Sequence, residues 1–232
     1  MIDIRRGSER GRTHTDWLDS YHSFSFGDYF SAERLNFGVL RVINDDRIAP
    51  GGGFPTHGHR DMEIITYVLE GALEHKDSLG NGSVVRAGDV QRMSAGTGIR
   101  HSEFNPSRTE PVHFLQIWIE PRCVGMPPSY EQTPVPDSDK LDRLRLIACP
   151  DGAAGSLRIL QDARVYTSLL GAGRSVEYPL EPGRSAYVHI ACGSLRLNRA
   201  PLEAGDAAAV NDEANVVIEA IEPAELLLFD LP

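Results

Sequence analysis

The sequence predicts an all-β protein of two tandem β-sandwich or barrel domains. From residue 37 onward it consists of short runs rich in β-branched, aliphatic and aromatic residues, such as FGVLRVI, EIITYVLEG and HFLQIWIE. Glycine and proline separate these runs about every 8 to 12 residues, a spacing typical of sandwiches and barrels. The periodicity of apolar residues that marks an amphipathic helix is scarce.

A tight hairpin is expected in the first half, where SLGNG separates the runs ALEHKD and SVVRAG. Asn81 and Gly82 can adopt the positive φ angles that a short hairpin turn demands. We therefore expect two neighbouring antiparallel strands joined at this point.

A domain boundary is predicted after Trp118, because residues 120–139 contain five prolines. Proline cannot donate a hydrogen bond to a β-ladder, so this segment suits a linker. We place an N-terminal domain at residues 1–133 and a C-terminal domain at residues 134–232. The order of strand, glycine turn, strand and AGD recurs in both halves, in VLEGALEHKD with VRAGDVQRM and in HIACGSLRLN with LEAGDAAAV, which favours a duplicated barrel.

The composition favours a soluble, cytoplasmic protein. No stretch approaches the roughly 18 to 20 apolar residues of a membrane span, and the N-terminus lacks the pattern of a secretory signal. Lys and Arg number 23 against 33 Asp and Glu, and the net charge of −10 disfavours docking onto a nucleic-acid backbone. Three widely spaced cysteines fit neither a disulfide framework nor a zinc site. We expect a monomer with reduced thiols and with no membrane or nucleic-acid partner.

Two short stretches carry pairs of metal-binding side chains. FPTHGHRDMEI contains His57 and His59, and GIRHSEFN contains His101 and Glu103. Residues i and i+2 of a strand point to the same face, so both pairs can face a barrel interior and supply three imidazoles and one carboxylate. This ligand set suits iron(II), manganese, nickel, copper or zinc. Glu63 shares the parity of the first pair but lies roughly 13 Å of extended chain beyond His59, and it stays an alternative to Glu103.

These stretches resemble the two sequence motifs of the cupins. The first motif is matched by Gly51, His57, His59, Glu63 and Gly71, and the second by Gly88, Gly96, His101 and Asn105, with Ser94 where proline is usual. The longer run GDVQRMSAGTGIRHSE resembles the pirin family, whose members are two-domain cupins. WLDSYHSFSFGDYF, RVINDD, HGHRDMEIITYVLEGALEHKDSLGN and YEQ resemble the same family, densely in the first half of the chain and thinly in the second.

The resemblance implies that the N-terminal cupin binds one divalent transition metal ion per chain. The implied ligands are His57, His59, His101 and Glu103, because in pirin-like proteins the carboxylate ligand comes from the second motif. Iron(II) is the favoured ion, with zinc, manganese, nickel, copper and cobalt as alternatives. The C-terminal domain contains only His189, without a neighbour at ligand spacing, so we expect no metal there.

The resemblance also implies an activity. Bacterial pirin-like proteins resemble quercetin 2,3-dioxygenases, so we expect an enzyme that opens the heterocyclic ring of a flavonol with O2 and releases carbon monoxide. Glu103 is the expected general base, which accepts the proton of the flavonol hydroxyl. The alternative is an iron-binding, redox-sensitive regulator that acts through a protein partner. A sugar-phosphate isomerase is disfavoured, because only Arg60, Arg92 and Arg100 supply positive charge near the motifs.

The five remaining histidines are expected to serve the fold rather than the metal: His14, His22, His75, His113 and His189. His75 and His113 lie in predicted strands of the metal-binding barrel, where they could support the metal ligands, but a core or surface role is the simpler interpretation. The aromatic side chains of WLDSYHSFSFGDYF are expected to anchor the N-terminal arm by packing.

Overall fold

The structure is a computed structural model that describes residues 1–232. It confirms the all-β prediction, because antiparallel strands make up nearly all of the regular structure. The one α-helix, α1, is a single turn at Asp137–Lys140. None of the helices has the length and apolar character that crossing a membrane requires.

The strands are numbered in chain order. The first twelve are β1 Ile2–Arg5, β2 Gly11–His14, β3 Leu18–His22, β4 Leu40–Ile48, β5 Gly53–His59, β6 Glu63–Glu70, β7 Ala72–Asp77, β8 Gly82–Arg86, β9 Asp89–Ser94, β10 Ile99–Phe104, β11 Val112–Ile119 and β12 Ser129–Pro134. The remaining ten are β13 Arg145–Cys149, β14 Leu157–Arg158, β15 Arg164–Leu170, β16 Ser175–Pro179, β17 Ser185–Cys192, β18 Ser194–Leu197, β19 Ala200–Glu203, β20 Ala207–Val210, β21 Asn215–Ala220 and β22 Ala224–Leu231. Two 3₁₀ turns lie at Gly7–Glu9 and Ala153–Gly155.

The chain forms two compact units. One consists of Gly11–Pro134 and Leu157–Gln161, and the other of Met1–Arg10, Val135–Ser156 and Asp162–Pro232. The domains predicted from the sequence, residues 1–133 and 134–232, therefore differ from these units in two short segments. Met1–Arg10 belongs to the later unit, and Leu157–Gln161 belongs to the earlier one. The N-terminal segment joins the later unit because β1 pairs antiparallel with β20. No local pattern in MIDIRR predicts that this segment pairs with a strand about 200 residues later in the chain.

The unit that contains β2–β12 is built of two antiparallel sheets. The larger sheet has the strand order β12-β9-β6-β11-β4-β3-β2, and the smaller has the order β5-β10-β7-β8. Strand β6 is buried along most of its length on both faces, which accounts for its nearly unbroken apolar sequence EIITYVLE.

The predicted hairpin is present, but its turn differs in detail. β7 pairs with β8 up to Lys76 and Gly82, and the positive φ angle, 91°, falls on Gly80 rather than on Asn81 or Gly82. The Asp77 carboxylate decides the loop shape, because its Oδ1 accepts hydrogen bonds from the backbone nitrogens of Leu79 and Asn81 at 2.9 and 3.1 Å. Side-chain capping of this kind competes with the two-residue turn that Asn-Gly favours.

A row of buried polar side chains crosses the larger sheet. Residues directly paired across antiparallel strands lie side by side on one face. Successive pairings therefore align one side chain from each of five strands, β9, β6, β11, β4 and β3: Gln91, Thr66, Gln116, Asn44 and His22. All five are at most 8% exposed. A buried polar row must be hydrogen-bonded, so this face is suited to orienting a polar site.

Apolar clusters lie on both sides of this row. One contains Leu18, Ile48, Val68, Leu73, Val85, Val112 and Phe114, and the other Ile64, Met93, Ala95 and Ile99. Each fully buried aliphatic or aromatic side chain contributes about 1.5 to 3 kcal/mol of transfer free energy. These clusters hold the unit together and leave the polar row free for other roles.

The second unit repeats the architecture with an apolar interior. Its strands follow the order β1-β20-β17-β22-β15-β13 in one sheet and β16-β21-β18-β19 in the other. Its core includes Val188, Ile190, Leu226 and Leu228. The buried carboxylate of Asp230 is satisfied by Tyr178 and by two arginines, so this charge serves the fold.

Candidate metal centre

Strands β5 and β10 bring together the two predicted ligand pairs, His57 with His59 and His101 with Glu103. His101 on β10 is paired with His57 on β5, and Ile99 with His59. The register then shifts, so that Glu103 is paired with Phe54, which leaves an extra residue on β5. Pro55 lies in this β-bulge, where its missing N–H disturbs no ladder.

Three imidazole nitrogens converge at this point. The Nε2 atom of His101 lies 3.0 Å from the Nε2 atoms of both His57 and His59. The potential ligand atoms of all three rings lie within 4.8 Å of one another. Two nitrogens bound at about 2.1 Å to a common ion and separated by a right angle would be about 3.0 Å apart. The arrangement therefore fits a shared metal ion better than a set of ordinary hydrogen bonds.

The protonation states of these rings also suit metal binding. Burial is the main cause that lowers the pKa of His59, to about 4, and the pKa of His101 still further, with the neighbouring imidazoles adding to both shifts. Both rings are therefore neutral near pH 7. His57 Nδ1 lies 2.9 Å from the carbonyl oxygen of Pro55 and donates to it, which leaves the Nε2 lone pair directed at the cluster.

His75 and Asp77 of β7 lie behind His101. His101 Nδ1 is 3.5 Å from His75 Nδ1, and His75 Nε2 is 3.1 Å from Asp77 Oδ2. If Nε2 of His101 faces an ion, its Nδ1 carries the proton and points to His75, and His75 donates in turn to Asp77. Metal-binding histidines are commonly oriented in this way by a carboxylate. A core or surface role was the favoured prediction for His75, and support of a metal ligand was the alternative.

Glu103 is almost completely buried and is held by the polar row. Its Oε2 accepts from Gln116 Nε2 at 2.8 Å, and its Oε1 accepts from Gln91 Nε2 at 3.1 Å and more weakly from Thr66 Oγ1 at 3.4 Å. Burial raises the pKa of this carboxyl to about 7, and the charge of Asp46 adds to the increase against the effect of the three donors. A carboxyl with this pKa can both hold and release a proton near neutrality.

The four predicted site residues form two overlapping groups. His57, His59 and His101 form one group, and Glu103 forms the second with His101 and His75. Within each group the potential ligand atoms lie within 4.8 Å of one another. His101 is common to both, so the carboxylate approaches the cluster from the side of His101.

Glu63, the alternative carboxylate, is occupied elsewhere. Its Oε2 accepts from Ser94 Oγ at 2.8 Å and from the backbone nitrogen of Leu160 at 3.2 Å. Ser94 stands where the cupin motif usually has proline, and its hydroxyl supplies a hydrogen bond to Glu63 that a proline side chain could not donate. Glu63 therefore belongs to the packing around the site.

The cations near the motifs do not form an anion site. Arg92 is 2% exposed and is bound to Glu131 at 2.8 Å and to Ser94 and Ser129. Arg60 donates to the carbonyl oxygen of Thr97. Arg92 is therefore not available to a phosphate, and only Arg60 and Arg100 remain near the motifs.

A cavity of about 280 Å³ opens onto His57, His59 and Glu103. Its apolar walls include Leu18, Phe26, Phe54 and Trp118. Asp28 lines it from the loop after β3, and the other polar side chains form one wall: Thr13, Ser20, His22, Asn44, Asp46 and Gln116. The polar wall belongs to the larger sheet, opposite the strands that carry the histidines. Sequence reasoning missed His22, Asn44 and Asp46, although they lie within the quoted stretches WLDSYHSFSFGDYF and RVINDD.

Replacing Gly53 with alanine is expected to destabilise the centre. A Cβ atom at Gly53 would lie 2.4 Å from the carbonyl oxygen of Glu103 and 2.6 Å from Cα of Phe104, so β5 would have to move away from β10. We expect a loss of about 1 to 3 kcal/mol in the free energy of unfolding, measured by chemical denaturation. Gly58→Ala on the same strand is the matched control, because its Cβ would meet only ordinary contacts at 3.7 Å or more. Equal losses for both variants would contradict the close-approach argument.

Replacing Asp46 with asparagine is expected to alter the pH dependence of stability. Burial raises the pKa of Asp46 to about 7, far above about 3.9 in the unfolded chain. Between these values the folded state binds more protons than the unfolded state, so the native protein loses stability as the pH rises from about 4 to 7. The stability of Asp46→Asn relative to the native protein should therefore grow by about 1 to 3 kcal/mol between pH 5 and pH 8. Urea denaturation of both metal-free proteins checks this, and a pH-independent difference would contradict it.

Comparisons with known proteins agree with this architecture. A family model described as Pirin matches residues 4–119, and one described as Quercetinase C-terminal cupin domain matches residues 146–231. A protein of Escherichia coli strain K12 named quercetin 2,3-dioxygenase is 45% identical over 232 residues, which cover 100% of this chain and 99% of that protein. A pirin-like protein of Caulobacter vibrioides is 45% identical over 99% of both chains. The crystal structure of the bacterial pirin YhhW from Escherichia coli in complex with nickel(II) is 44% identical, with a TM-score of 0.96 and coverage of 100% of this chain and 99% of that one.

Proposed function

The chain belongs to the pirin family, and from that premise we propose that it is a metal-dependent dioxygenase that opens the heterocyclic ring of flavonols such as quercetin and releases carbon monoxide. The observation that carries this proposal is the convergence of three imidazoles beside a cavity that is lined by two of them, His57 and His59, and by the buried carboxyl of Glu103. The relatives that carry the name quercetin 2,3-dioxygenase support the same reaction.

We infer that His57, His59, His101 and Glu103 hold one divalent transition metal ion. The 3.0 Å separations between the imidazole nitrogens support the three histidine ligands. A set of imidazole and carboxylate ligands without a thiolate suits iron(II), manganese, nickel and related ions. Iron(II) is the ion we propose. When bound, such an ion acts as a Lewis acid that lowers the pKa of a hydroxyl group placed against it.

Glu103 is the proposed acceptor of the flavonol hydroxyl proton. Without a metal ion, burial raises the pKa of this carboxyl to about 7, and a general base is most effective when its pKa lies near the pH of the reaction. Gln91, Gln116 and Thr66 all donate to its two oxygens, so the carboxylate is oriented before the substrate arrives. No lysine or arginine neutralises it, which leaves its basicity available.

The cavity walls suit a flat aromatic substrate. Phe54 packs edge-on against Trp17 at 5.2 Å between ring centroids, and Trp118 packs edge-on against Phe26 at 5.5 Å. These mutually supported rings offer apolar faces and edges on which an aromatic substrate can pack. A volume of about 280 Å³ lies near the lower end of typical ligand pockets, about 300 to 1,000 Å³, so a compact substrate is favoured and water is largely displaced by it.

Anaerobic metal loading tests the proposed activity. Metal-free protein is loaded separately with iron(II), manganese, nickel, cobalt, copper or zinc and mixed with quercetin and O2. We expect at least one ion to support decay of the quercetin absorbance together with release of carbon monoxide. A failure of every ion to support turnover would eliminate the dioxygenase proposal.

Replacing Asp77 with asparagine is expected to weaken metal binding. An amide would present either an N–H to His75 or a poorer acceptor, so the hydrogen bond that holds His75 behind His101 is lost or weakened. Loss of such an orienting carboxylate typically lowers metal affinity by about 10- to 100-fold. Competition with a chromogenic chelator measures the affinity without relying on turnover.

Asp89→Asn is the matched control for this experiment. Asp89 begins β9 and accepts hydrogen bonds from Arg86 and Gln132 rather than from a histidine. Its replacement should leave metal affinity within about 2-fold of the native value. Equal losses in the two variants would show that general destabilisation, rather than the orientation of His101, explains the effect.

A further inference from the structure

The polar wall of the cavity contains a buried carboxylate that the proposed reaction does not use. Asp46 on β4 is 2% exposed and lines the cavity, and its Oδ1 atom has no hydrogen-bond partner in the protein. Ser20 on β3 is paired with Asp46, and its hydroxyl forms a hydrogen bond with the Asp46 carboxyl group. That hydrogen bond does not involve Oδ1. Buried polar atoms without a partner are rare in proteins, and an unpaired acceptor on a side chain that lines a cavity is suited to a donor on a ligand.

Asn44 offers the complementary group beside it. Residues 44 and 46 lie on the same face of β4, about 6 to 7 Å apart along the strand. Asn44 Oδ1 is engaged by His22 Nδ1 at 2.8 Å, which leaves the Asn44 Nδ2 hydrogens for the cavity. The wall thus offers an acceptor and a donor side by side.

His22 is the partner of the Asn44 amide oxygen. Its Nδ1–H donates to Asn44 Oδ1, while its Nε2 accepts from the Thr13 hydroxyl at 2.8 Å. The ring also contacts Phe26 and stacks against Tyr29. In this arrangement His22 does not use the Nδ2 group of Asn44.

We propose that Asp46 and Asn44 form a recognition site for a phenolic hydroxyl group of the substrate. A hydroxyl both donates and accepts, so it can donate to Asp46 Oδ1 and accept from Asn44 Nδ2. The site lies on the larger sheet, whereas the histidines lie on the smaller sheet. A substrate that spans the cavity therefore presents a ring hydroxyl at this wall and its metal-binding oxygen at the opposite one.

This inference rests on the proposed function for the identity of the substrate, and it narrows the substrate class. It selects polyphenols that carry a hydroxyl on the ring remote from the reacting heterocycle. A site with unpaired polar groups strongly rejects an analogue that lacks the matching hydroxyl, because those groups then stay unpaired. An apolar pocket rejects an analogue with an additional hydroxyl less strongly.

A matched pair of flavonols tests the site by binding alone. Quercetin carries two hydroxyls on the ring remote from the heterocycle, and galangin carries none. Their affinities are measured anaerobically, from the change in ligand absorbance, with the metal-loaded native protein and with Asp46→Leu. We expect the native protein to bind quercetin about 10- to 100-fold more tightly than galangin, and Asp46→Leu to reduce this preference to about 3-fold or less.

Leucine is chosen because it is apolar, only moderately larger than aspartate, and can pack beside Ile48 and Phe114, so the variant should fold. Asn44→Asp, which keeps the oxygen for His22 and removes the Nδ2 donor, should also reduce the preference for quercetin. Asp45→Asn is the matched control, because Asp45 points to the other face of β4 and is bound to His113 at 2.7 Å. It should keep the native preference.

The binding and turnover results distinguish the proposed recognition site from the proposed dioxygenase reaction. Equal binding of the two flavonols by the native protein, or an equal loss of both in Asp46→Leu, would overturn the recognition site even if quercetin is turned over. A preference for quercetin that depends on Asp46, without turnover on any metal, would support the site and remove the proposed dioxygenase activity. An absence of binding for both flavonols would count against both.

Discussion

Replacing His101 with alanine is expected to release the metal ion from the protein. The native protein should retain close to one ion per chain after dialysis, and the variant almost none, with an affinity reduced by more than about 100-fold. The physical reason is that Nε2 of His101 lies 3.0 Å from the Nε2 atoms of both other histidines. Its removal leaves His57 and His59 without the nitrogen that approaches both of them. Elemental analysis and chelator competition measure the loss directly.

Glu63→Gln is the control that makes this result specific. Glu63 belongs to the first histidine motif and is as deeply buried as His101 and Glu103, but it is bound to Ser94 and to the backbone of Leu160. A glutamine oxygen can accept both hydrogen bonds, so metal content should stay at the native value. If Glu63→Gln released the ion as completely as His101→Ala, the assignment of Glu63 to the packing would be wrong.

Replacing Glu103 with glutamine is expected to lower turnover by about 100- to 10,000-fold at a saturating concentration of metal ion. The amide cannot accept a proton, and it turns an N–H group toward side chains that already donate to the carboxylate. The rate of quercetin decay measures the change. Metal affinity should fall as well, but less than in His101→Ala, since three imidazoles remain.

Two comparisons distinguish loss of the base from loss of folding. Glu63→Gln makes the same chemical change at an equally buried carboxyl and should keep nearly native turnover. The melting temperature of Glu103→Gln should fall by only a few degrees, because one mismatched buried hydrogen bond costs about 1 to 3 kcal/mol. Native turnover in a metal-saturated Glu103→Gln protein would exclude Glu103 as the proton acceptor.

Much of the centre could be predicted from local patterns in the chain. The i and i+2 spacing places His57 with His59, and His101 with Glu103, on common faces of their strands, and this follows from backbone geometry alone. The hairpin between the two motifs was also predictable, although the positive φ angle lies at Gly80 rather than at Asn81 or Gly82. The choice of Glu103 over Glu63 came from the resemblance to pirins and not from the spacing.

Other parts of the site left no signal in local sequence. His75 lies behind His101 only because β10 pairs with both β5 and β7. Asp46 borders the cavity only because β3, β4 and β11 are aligned so that Ser20, Asp46 and Phe114 share one face. In the printed sequence, Asp45 and Asp46 are equivalent neighbours. In the structure, Asp45 is bound to His113, whereas Asp46 lines the cavity and has an oxygen atom without a hydrogen-bond partner.

The sequence by itself determined the all-β class, the pirin membership and the two pairs of candidate ligands, because each depends on turn residues, side-chain alternation or motifs contained within a few strands. The tertiary structure decided which strands are neighbours and in which register. Register is a long-range property, since a shift of one residue moves every side chain of a strand to the other face. For that reason the polar row that holds Glu103, the support of His101 by His75 and Asp77, and the exposure of Asp46 to the cavity became visible only in the folded protein.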